Sequence, residues 1–170
     1  MRLEDYIRTI PDFPKSGIMF KDISPLLGNV EAFKKCIDEI SKIYTKTNID
    51  KIAAFDARGF IFGSVVAYKL GLPLVMIRKK GKLPGKVIQE SYQGEYAQAT
   101  IEIHQDSIQK GDRVLLVDDV AAVGACMKAG CKLIERLGGK IVGCFTVIEF
   151  TSMNPQKLLG KHKLISLIKY

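Results

Sequence analysis

Residues 114–127, with the sequence VLLVDDVAAVGACM, constrain the fold of this chain more than any other segment. The apolar run 114–117 predicts a buried strand, and the acidic pair Asp118 and Asp119 follows it directly. A loop of small residues, 121–126, then leads into a helical pattern over 127–137. Open α/β sheets bind ligands at the carboxyl ends of parallel strands, and a helix N-terminus there favours an anion. We therefore expect a sugar-phosphate site; the alternative is a strand that ends in a solvated acidic turn.

Composition restricts the class of protein. A chain of 170 residues fits one domain, and a hydrophobic share of 47% with 26% charged residues is ordinary for a globular protein. No apolar run approaches the length of a membrane span, and the first ten residues, MRLEDYIRTI, do not form a signal peptide. The four cysteines have no metal-binding spacing, and for a cytosolic protein we expect them to be free thiols. Two histidines argue against histidine-based metal or triad chemistry.

The net charge of +8 leaves the partner open. Most basic residues are scattered lysines with few aromatic residues between them, apart from one cluster over residues 78–86. Nucleic acid would explain such a cluster, and so would a highly phosphorylated small substrate. A solvated surface loop is the third explanation.

Strands alternate with helices along the chain, which predicts an α/β fold with a mainly parallel sheet. We expect an irregular basic segment at 78–86 and a hairpin formed by residues 87–92 and 97–104. The predicted strands are 18–21, 51–55, 74–77, 113–117, 140–149 and 164–168, and the predicted helices are 3–10, 30–44, 60–70 and 127–137.

Five segments together resemble the type I phosphoribosyltransferases, and within that family the members that use adenine. They are FPKSGIMFKDISPLL (13–27), FDARGF (55–60), RKKGKLPG (78–85), ESYQGEYA (90–97) and the segment 114–127. The resemblance implies one domain over 1–170, in which helices flank a mainly parallel sheet. Residues 1–29 would form a small hood over the base, and residues 78–104 a mobile loop and β-arm.

The same resemblance implies a reaction: phosphoribosyl diphosphate and adenine give AMP and pyrophosphate in purine salvage. It also implies Mg²⁺, held mainly by the substrate diphosphate and by water, a homodimer, and a cytoplasmic enzyme. Membranes and nucleic acid are not expected partners.

Site residues carry over position by position. Asp118 and Asp119 match the acids that hold the ribose hydroxyls, and Glu95 matches a proton-handling carboxylate on the mobile arm. Arg58 would bind the diphosphate, in a loop for which the family implies a cis peptide between Asp56 and Ala57. The neighbouring subunit's diphosphate would be reached by Arg78, Lys79, Lys82 and Tyr96. The 5′-phosphate would lie in a loop formed by Ala122, Val123, Gly124, Ala125 and Cys126.

Adenine would lie between Phe20 and Phe150, while backbone groups of Met19 and Lys21 read its edge. Without the resemblance, both phenylalanines read as ordinary core residues.

The phosphate loop departs from the family pattern, which usually reads ATGGT. Here Val123 and Cys126 stand where threonine is usual, and Ala125 replaces a glycine. Each lost hydroxyl removes a hydrogen bond worth about 1.5–3 kcal/mol to a charged phosphate, so we expect weaker binding of phosphoribosyl diphosphate. Ala125 is compatible only with a negative φ.

Two rival functions remain at this stage. One is a transferase for another purine, against which the base-pocket segments argue. The other is a catalytically weakened, ligand-sensing regulator that binds nucleic acid, suggested by the altered phosphate loop and the net charge. The match to a transferase uses nearly the whole chain and leaves no room for an added DNA-binding domain.

Overall fold

The computed structural model describes residues 1–94 and 97–170. Two predicted site residues, Glu95 and Tyr96, lie outside the described residues, so their roles stay predictions. In the described ranges no helix is long and apolar enough to cross a membrane.

A seven-stranded sheet forms the centre of the described structure. In chain order its strands are β3 (Lys51–Phe55), β4 (Leu74–Lys79), β5 (Val87–Gln93), β6 (Gln98–His104), β7 (Arg113–Ala121), β8 (Lys140–Glu149) and β9 (Leu164–Lys169). Their spatial order is β5-β6-β4-β3-β7-β8-β9. The strands from β4 to β9 across the sheet pair in parallel, and the β5–β6 hairpin adds to β4 in antiparallel fashion. The predicted α/β class is confirmed.

Helices cover both faces of this sheet because side chains alternate along its buried strands. Leu115 and Val117 of β7 belong to a core with α2 (Val30–Tyr44) and α3 (Gly59–Leu70). Val114 and Leu116 belong to a second core with α4 (Ala125–Arg136) and α5 (Pro155–Leu159). The apolar run of β7 therefore anchors both layers.

A small N-terminal unit has its own two-stranded sheet and packs on the core of the main sheet through Leu3, Ile23 and Leu26. It contains a 3₁₀ turn over Leu3–Tyr6, the antiparallel pair β1 (Arg8–Pro11) and β2 (Met19–Asp22), and the short helix α1 (Ser24–Gly28). Asp22 links these parts, because its carboxylate accepts hydrogen bonds from Arg8 Nε at 3.0 Å and from the Ser24 amide at 2.9 Å.

Several predicted boundaries were wrong. The helix predicted at 3–10 is a 3₁₀ turn followed by β1, because residues 8–11 pair with β2. The segment 78–86 begins with regular structure, because Arg78 and Lys79 belong to β4 and pair with β6. The strand predicted to end at Val117 extends to Ala121, since it keeps its pairing with β8 as far as Glu149. Asp118 and Asp119 therefore lie inside β7 rather than in the loop after it.

Candidate active site

Two strand-to-helix junctions lie side by side at one edge of the sheet. β3 leads into α3 and β7 leads into α4, and the two strands are parallel neighbours in which Ala54 is opposite Val117. The junctions also touch through side chains, because Arg58 Nε lies 2.7 Å from Asp119 Oδ2. A ligand can thus contact the start of both helices at once.

Close backbone approach at the first junction depends on Gly59. A Cβ built on this residue would stand 2.7 Å from Asp118 Oδ1 and 3.1 Å from the Val117 carbonyl oxygen. Only glycine fits there without a shift of β7 or of α3. The peptide between Asp56 and Ala57 is cis, as the resemblance implied.

The acidic pair lies in a poorly solvated position. Burial and the neighbouring Asp119 carboxylate raise the pKa of Asp118 well above its usual value. Burial also raises the pKa of Asp119, although the Arg58 guanidinium partly offsets that effect. Asp118 Oδ1 accepts a hydrogen bond from the Asp119 amide at 2.9 Å. Two close carboxylates with restricted hydration favour ligands that bring hydroxyl donors or positive charge to them.

A cavity of about 210 Å³ lies at the second junction, and it is lined by Tyr92, Gly94, Asp118, Val120, Ala121, Ala122, Val123, Gly124, Ala125, Cys126 and Met127. Gly124 has a φ of +81°, and a Cβ there would stand 3.1 Å from the Pro155 carbonyl oxygen. Ala125 opens α4 and is not among the described residues with positive φ, so its methyl group is accommodated. The first amides of a helix have no intrahelical partner and can bind an anion.

The side chains of this cavity offer few strong hydrogen-bond donors. Val123 and Cys126 line it where the family pattern has threonines. Burial, followed by the Asp118 carboxylate, raises the pKa of Cys126 to about 12, so the group presents a weak S–H donor at neutral pH. Burial and Cys126 likewise raise the pKa of Tyr92, whose phenol stays protonated.

A larger cavity of about 800 Å³ opens between β2 and the ends of β7 and β8, and its lining includes Met19, Phe20, Lys21, Arg58, Lys79, Val120, Ala122 and Phe150. The Arg58 guanidinium lies 5.3 Å from the centroid of the Phe20 ring. Phe20 and Phe150 are half-buried at the cavity wall, so neither is enclosed in the core. An aromatic, mostly apolar wall suits a flat base.

The predicted site residues of the basic segment, Arg78, Lys79 and Lys82, differ in how close they lie to the cavities. Lys79 lines the large cavity. The guanidinium of Arg78 is held at the first junction, because its Nε donates to Asp56 Oδ2 at 3.0 Å. Lys82 is exposed, and it is its carbonyl that accepts from Arg78, at 3.2 Å. The Lys82 side chain is not among the described residues that line either cavity.

Sequence reasoning missed several contributors. Asp56 holds Arg78, Val120 lines both cavities, and Phe13 packs edge-on against Phe20 with centroids 5.1 Å apart. It also missed Glu102, a buried acid of β6 that binds the segment after β4. The only signal for Glu102 was an acid between Ile101 and Ile103, in a strand that reads as half-buried.

This chain is similar to known proteins in both sequence and fold. The family described as phosphoribosyl transferase domain matches residues 25–165. The adenine phosphoribosyltransferase of Thermosipho melanesiensis is 49% identical over 170 residues, which is 100% of this chain and 97% of that protein. The solved adenine phosphoribosyltransferase of Thermoanaerobacter pseudethanolicus superposes with a TM-score of 0.96 at 43% identity, over 99% of this chain and 98% of that one. The Giardia lamblia enzyme, solved with 9-deazaadenine, has a TM-score of 0.94 at 36% identity, over 100% and 98%.

Proposed function

Because this chain belongs to the adenine phosphoribosyltransferases, purine-salvage enzymes that transfer the phosphoribosyl group of phosphoribosyl diphosphate to adenine and release pyrophosphate, we propose how its residues divide that work. The two junctions bind the two phosphate ends of one sugar, and the cavity beside Phe20 takes the base. The contact of 2.7 Å between Arg58 and Asp119 carries the proposal, because it brings the two junctions within reach of a single substrate.

The 5′-phosphate binds the start of α4. The amides of Val123, Gly124 and Ala125 surround the small cavity, and the positive end of the helix dipole faces it. The hydroxyls that threonine would add at 123 and 126 are missing, so the backbone supplies most of the binding.

The diphosphate binds the start of α3, where Arg58 offers a planar guanidinium suited to phosphate oxygens. Arg78 contacts Asp56 at this junction and Lys79 lines the large cavity. Both add positive charge for a diphosphate, which the resemblance implies is that of the neighbouring subunit. When the diphosphate binds, Arg58 can exchange its carboxylate partner Asp119 for phosphate oxygens.

The ribose lies over Asp118 and Asp119. Their carboxylates accept hydrogen bonds from the 2- and 3-hydroxyls and stabilise the positive charge that develops at the anomeric carbon. Glu95, outside the described residues, takes the N9 proton of adenine as that nitrogen attacks.

The base lies between Phe20 and Phe150. Pro11 is opposite Met19 in the β1–β2 pair and has no N–H to donate, which leaves the Met19 carbonyl able to accept from the exocyclic amine of adenine. Hypoxanthine has no such amine and would leave that acceptor unpaired, so the site prefers adenine.

Mg²⁺ enters with the substrate. Among the described residues no three His, Cys, Asp or Glu side chains cluster closely enough to hold a metal ion by themselves. As the resemblance implies, the ligands of the ion would be mainly diphosphate oxygens and water. The ion would neutralise charge on the departing pyrophosphate.

The enzyme works as a homodimer in the cytoplasm. Ile61 and Tyr68 form an exposed apolar strip on α3, and Tyr68 is 89% exposed. Leu74 and Met76 of β4 are two further exposed apolar side chains. An apolar surface of this kind suits a second copy of the chain. The four free cysteines support a reducing compartment.

The test is product formation with Mg²⁺, phosphoribosyl diphosphate and one purine base at a time. We expect AMP from adenine and little nucleotide from hypoxanthine or guanine. Arg58→Gln should lower kcat/KM for phosphoribosyl diphosphate by at least about 10-fold, since it removes charged hydrogen bonds. Arg2→Gln, at an exposed position on the N-terminal unit, is the matched control and should keep wild-type kinetics. The proposal is contradicted if nucleotide forms only with hypoxanthine, or if no base gives any nucleotide.

A further inference from the structure

Glu102 is a buried carboxylate that the proposed reaction does not use. It lies in the middle of β6, opposite Arg78 of β4 and Gln89 of β5, and is 1% exposed. Acidic side chains are rarely buried to this extent unless their oxygens are satisfied. The hydrogen bonds of Glu102 therefore indicate what its burial achieves.

One oxygen of Glu102 binds the segment that leaves β4, and the other binds the neighbouring strand β5. Oε1 accepts from the Lys82 and Leu83 amides, each at 2.9 Å, and Oε2 accepts from Gln89 Nε2 at 3.0 Å. This segment has the sequence KGKLPGK over 80–86, which lacks a regular backbone pattern of its own. One side chain thus holds the start of the basic segment against the hairpin.

The environment keeps Glu102 charged. Burial acts to raise its pKa, but amide donors from Leu83, Gly81 and Lys82 and the side chain of Gln89 outweigh burial, and the net pKa is lowered. Hydrogen bonds to an ionised acceptor are stronger than those to a neutral one.

A short chain of contacts links Glu102 to the diphosphate end of the site. The Lys82 carbonyl belongs to the same peptide group as the Leu83 amide that Glu102 holds, and it accepts from Arg78 Nη1 at 3.2 Å. Arg78 Nε in turn donates to Asp56 Oδ2 at 3.0 Å, at the junction that contains Arg58. The orientation of Arg78 therefore depends on the position of the Lys82 peptide.

We propose that Glu102 is a positioning residue for diphosphate binding: it fixes the turn over residues 80–83 and thereby presents Arg78 and Lys79 to the pyrophosphate end of the substrate. The inference rests on the proposed function, because it concerns the same site. It differs from a merely structural role in one respect. Loss of Glu102 weakens the binding of ligands that carry a diphosphate. The binding of AMP, which has only the 5′-phosphate, stays nearly unchanged.

The experiment measures the dissociation constants of phosphoribosyl diphosphate, Mg²⁺–pyrophosphate and AMP by calorimetry for wild type, Glu102→Ala and Glu102→Gln. Glu90→Gln is the matched control, because Glu90 lies on the neighbouring strand β5 and pairs with Lys132 at 2.8 Å, away from the turn. Wild-type AMP synthesis from adenine is measured first. Its absence would reject the proposed function, whatever the variants do.

Glu102→Ala should raise the dissociation constants of phosphoribosyl diphosphate and pyrophosphate by at least about 10-fold. The dissociation constant of AMP should rise by less than about 2-fold. Glu102→Gln should have affinities for phosphoribosyl diphosphate and pyrophosphate only about 3-fold below those of wild type. Its amide oxygen can still accept from the Lys82 and Leu83 amides, and Gln89 can turn its own amide to pair with the new NH₂ group. If Glu102→Ala does not fold, the same selective loss in Glu102→Gln supports the proposal. Unchanged affinity for pyrophosphate, or equal loss for AMP and pyrophosphate, overturns it.

Discussion

Gly59 and Asp118 are in such close contact that a Cβ built on Gly59 would stand 2.7 Å from Asp118 Oδ1. The start of α3 is therefore packed directly against the acidic end of β7. Asp118 also borders the small cavity at the start of α4, so this contact sets the spacing between the two strand-to-helix junctions.

Gly59→Ala should disturb this spacing. We expect a loss of about 1–3 kcal/mol in the free energy of unfolding, because the methyl group meets backbone as well as a carboxylate. We also expect kcat/KM for phosphoribosyl diphosphate to fall by at least about 10-fold. Urea denaturation and steady-state kinetics measure the two effects. Gly28→Ala is the control: a Cβ there meets nothing within 4 Å, and its stability should change by less than about 0.5 kcal/mol.

Asp118→Asn should separate stability from activity. Because the pKa of Asp118 is raised in the folded protein, the native state binds this proton more tightly than the unfolded chain, and ionisation at neutral pH costs stability. The variant avoids that cost and should gain about 1 kcal/mol at pH 7, while kcat falls by at least about 10-fold. The stability gain should shrink as the pH falls toward about 4, where the unfolded carboxyl also becomes protonated.

Asp22→Asn is the control for which the expected change in stability has the opposite sign. The Ser24 hydroxyl and amide, together with Arg8, lower the pKa of Asp22 to about 2. Its stabilising effect is therefore present above the ordinary carboxyl pKa and is lost as the pH falls through about 2. This variant should lose about 1 kcal/mol at pH 7. A gain in stability for Asp22→Asn, or a loss for Asp118→Asn, would contradict the electrostatic account.

Restoring hydroxyls to the phosphate loop should strengthen substrate binding. Val123→Thr and Cys126→Thr each place a donor in the small cavity, and we expect each to lower KM for phosphoribosyl diphosphate by about 5-fold or more. Val30→Thr changes an exposed residue at the start of α2 and serves as the control. An unchanged KM in both loop variants would mean that the backbone amides already satisfy the hydrogen-bonding capacity of the phosphate oxygens.

Tyr68→Glu should weaken self-association. The variant places a charge within the exposed strip on α3, where burial against a second copy would leave that charge desolvated and unpaired. Sedimentation velocity should then show a smaller species than wild type at the same concentration. Glu39→Gln, on the outer face of α2, is the control. A monomeric wild-type protein would reject the dimer.

The local sequence pattern was sufficient to predict the bounds of the interior helices and strands. The bounds Val30–Tyr44, Lys51–Phe55 and Lys140–Glu149 agree with the predicted ranges, because the helix has a clear apolar stripe and the two strands are mostly apolar. Elements whose extent depends on a distant partner were less predictable. β7 continues to Ala121 because it is paired with β8, and residues 8–11 are a strand because β2 lies beside them.

The sequence by itself determined the family, the alternating α/β order and the identity of most candidate site residues, because these follow from local periodicity and from short motifs. Only the tertiary structure decided that Arg58 reaches Asp119, that Gly59 has no room for a side chain, and that Glu102 turns inward to hold the Lys82 and Leu83 amides. Each of these contacts joins residues far apart along the chain. Their distances depend on how the strands are ordered and how the helices pack, which no local stretch of sequence specifies.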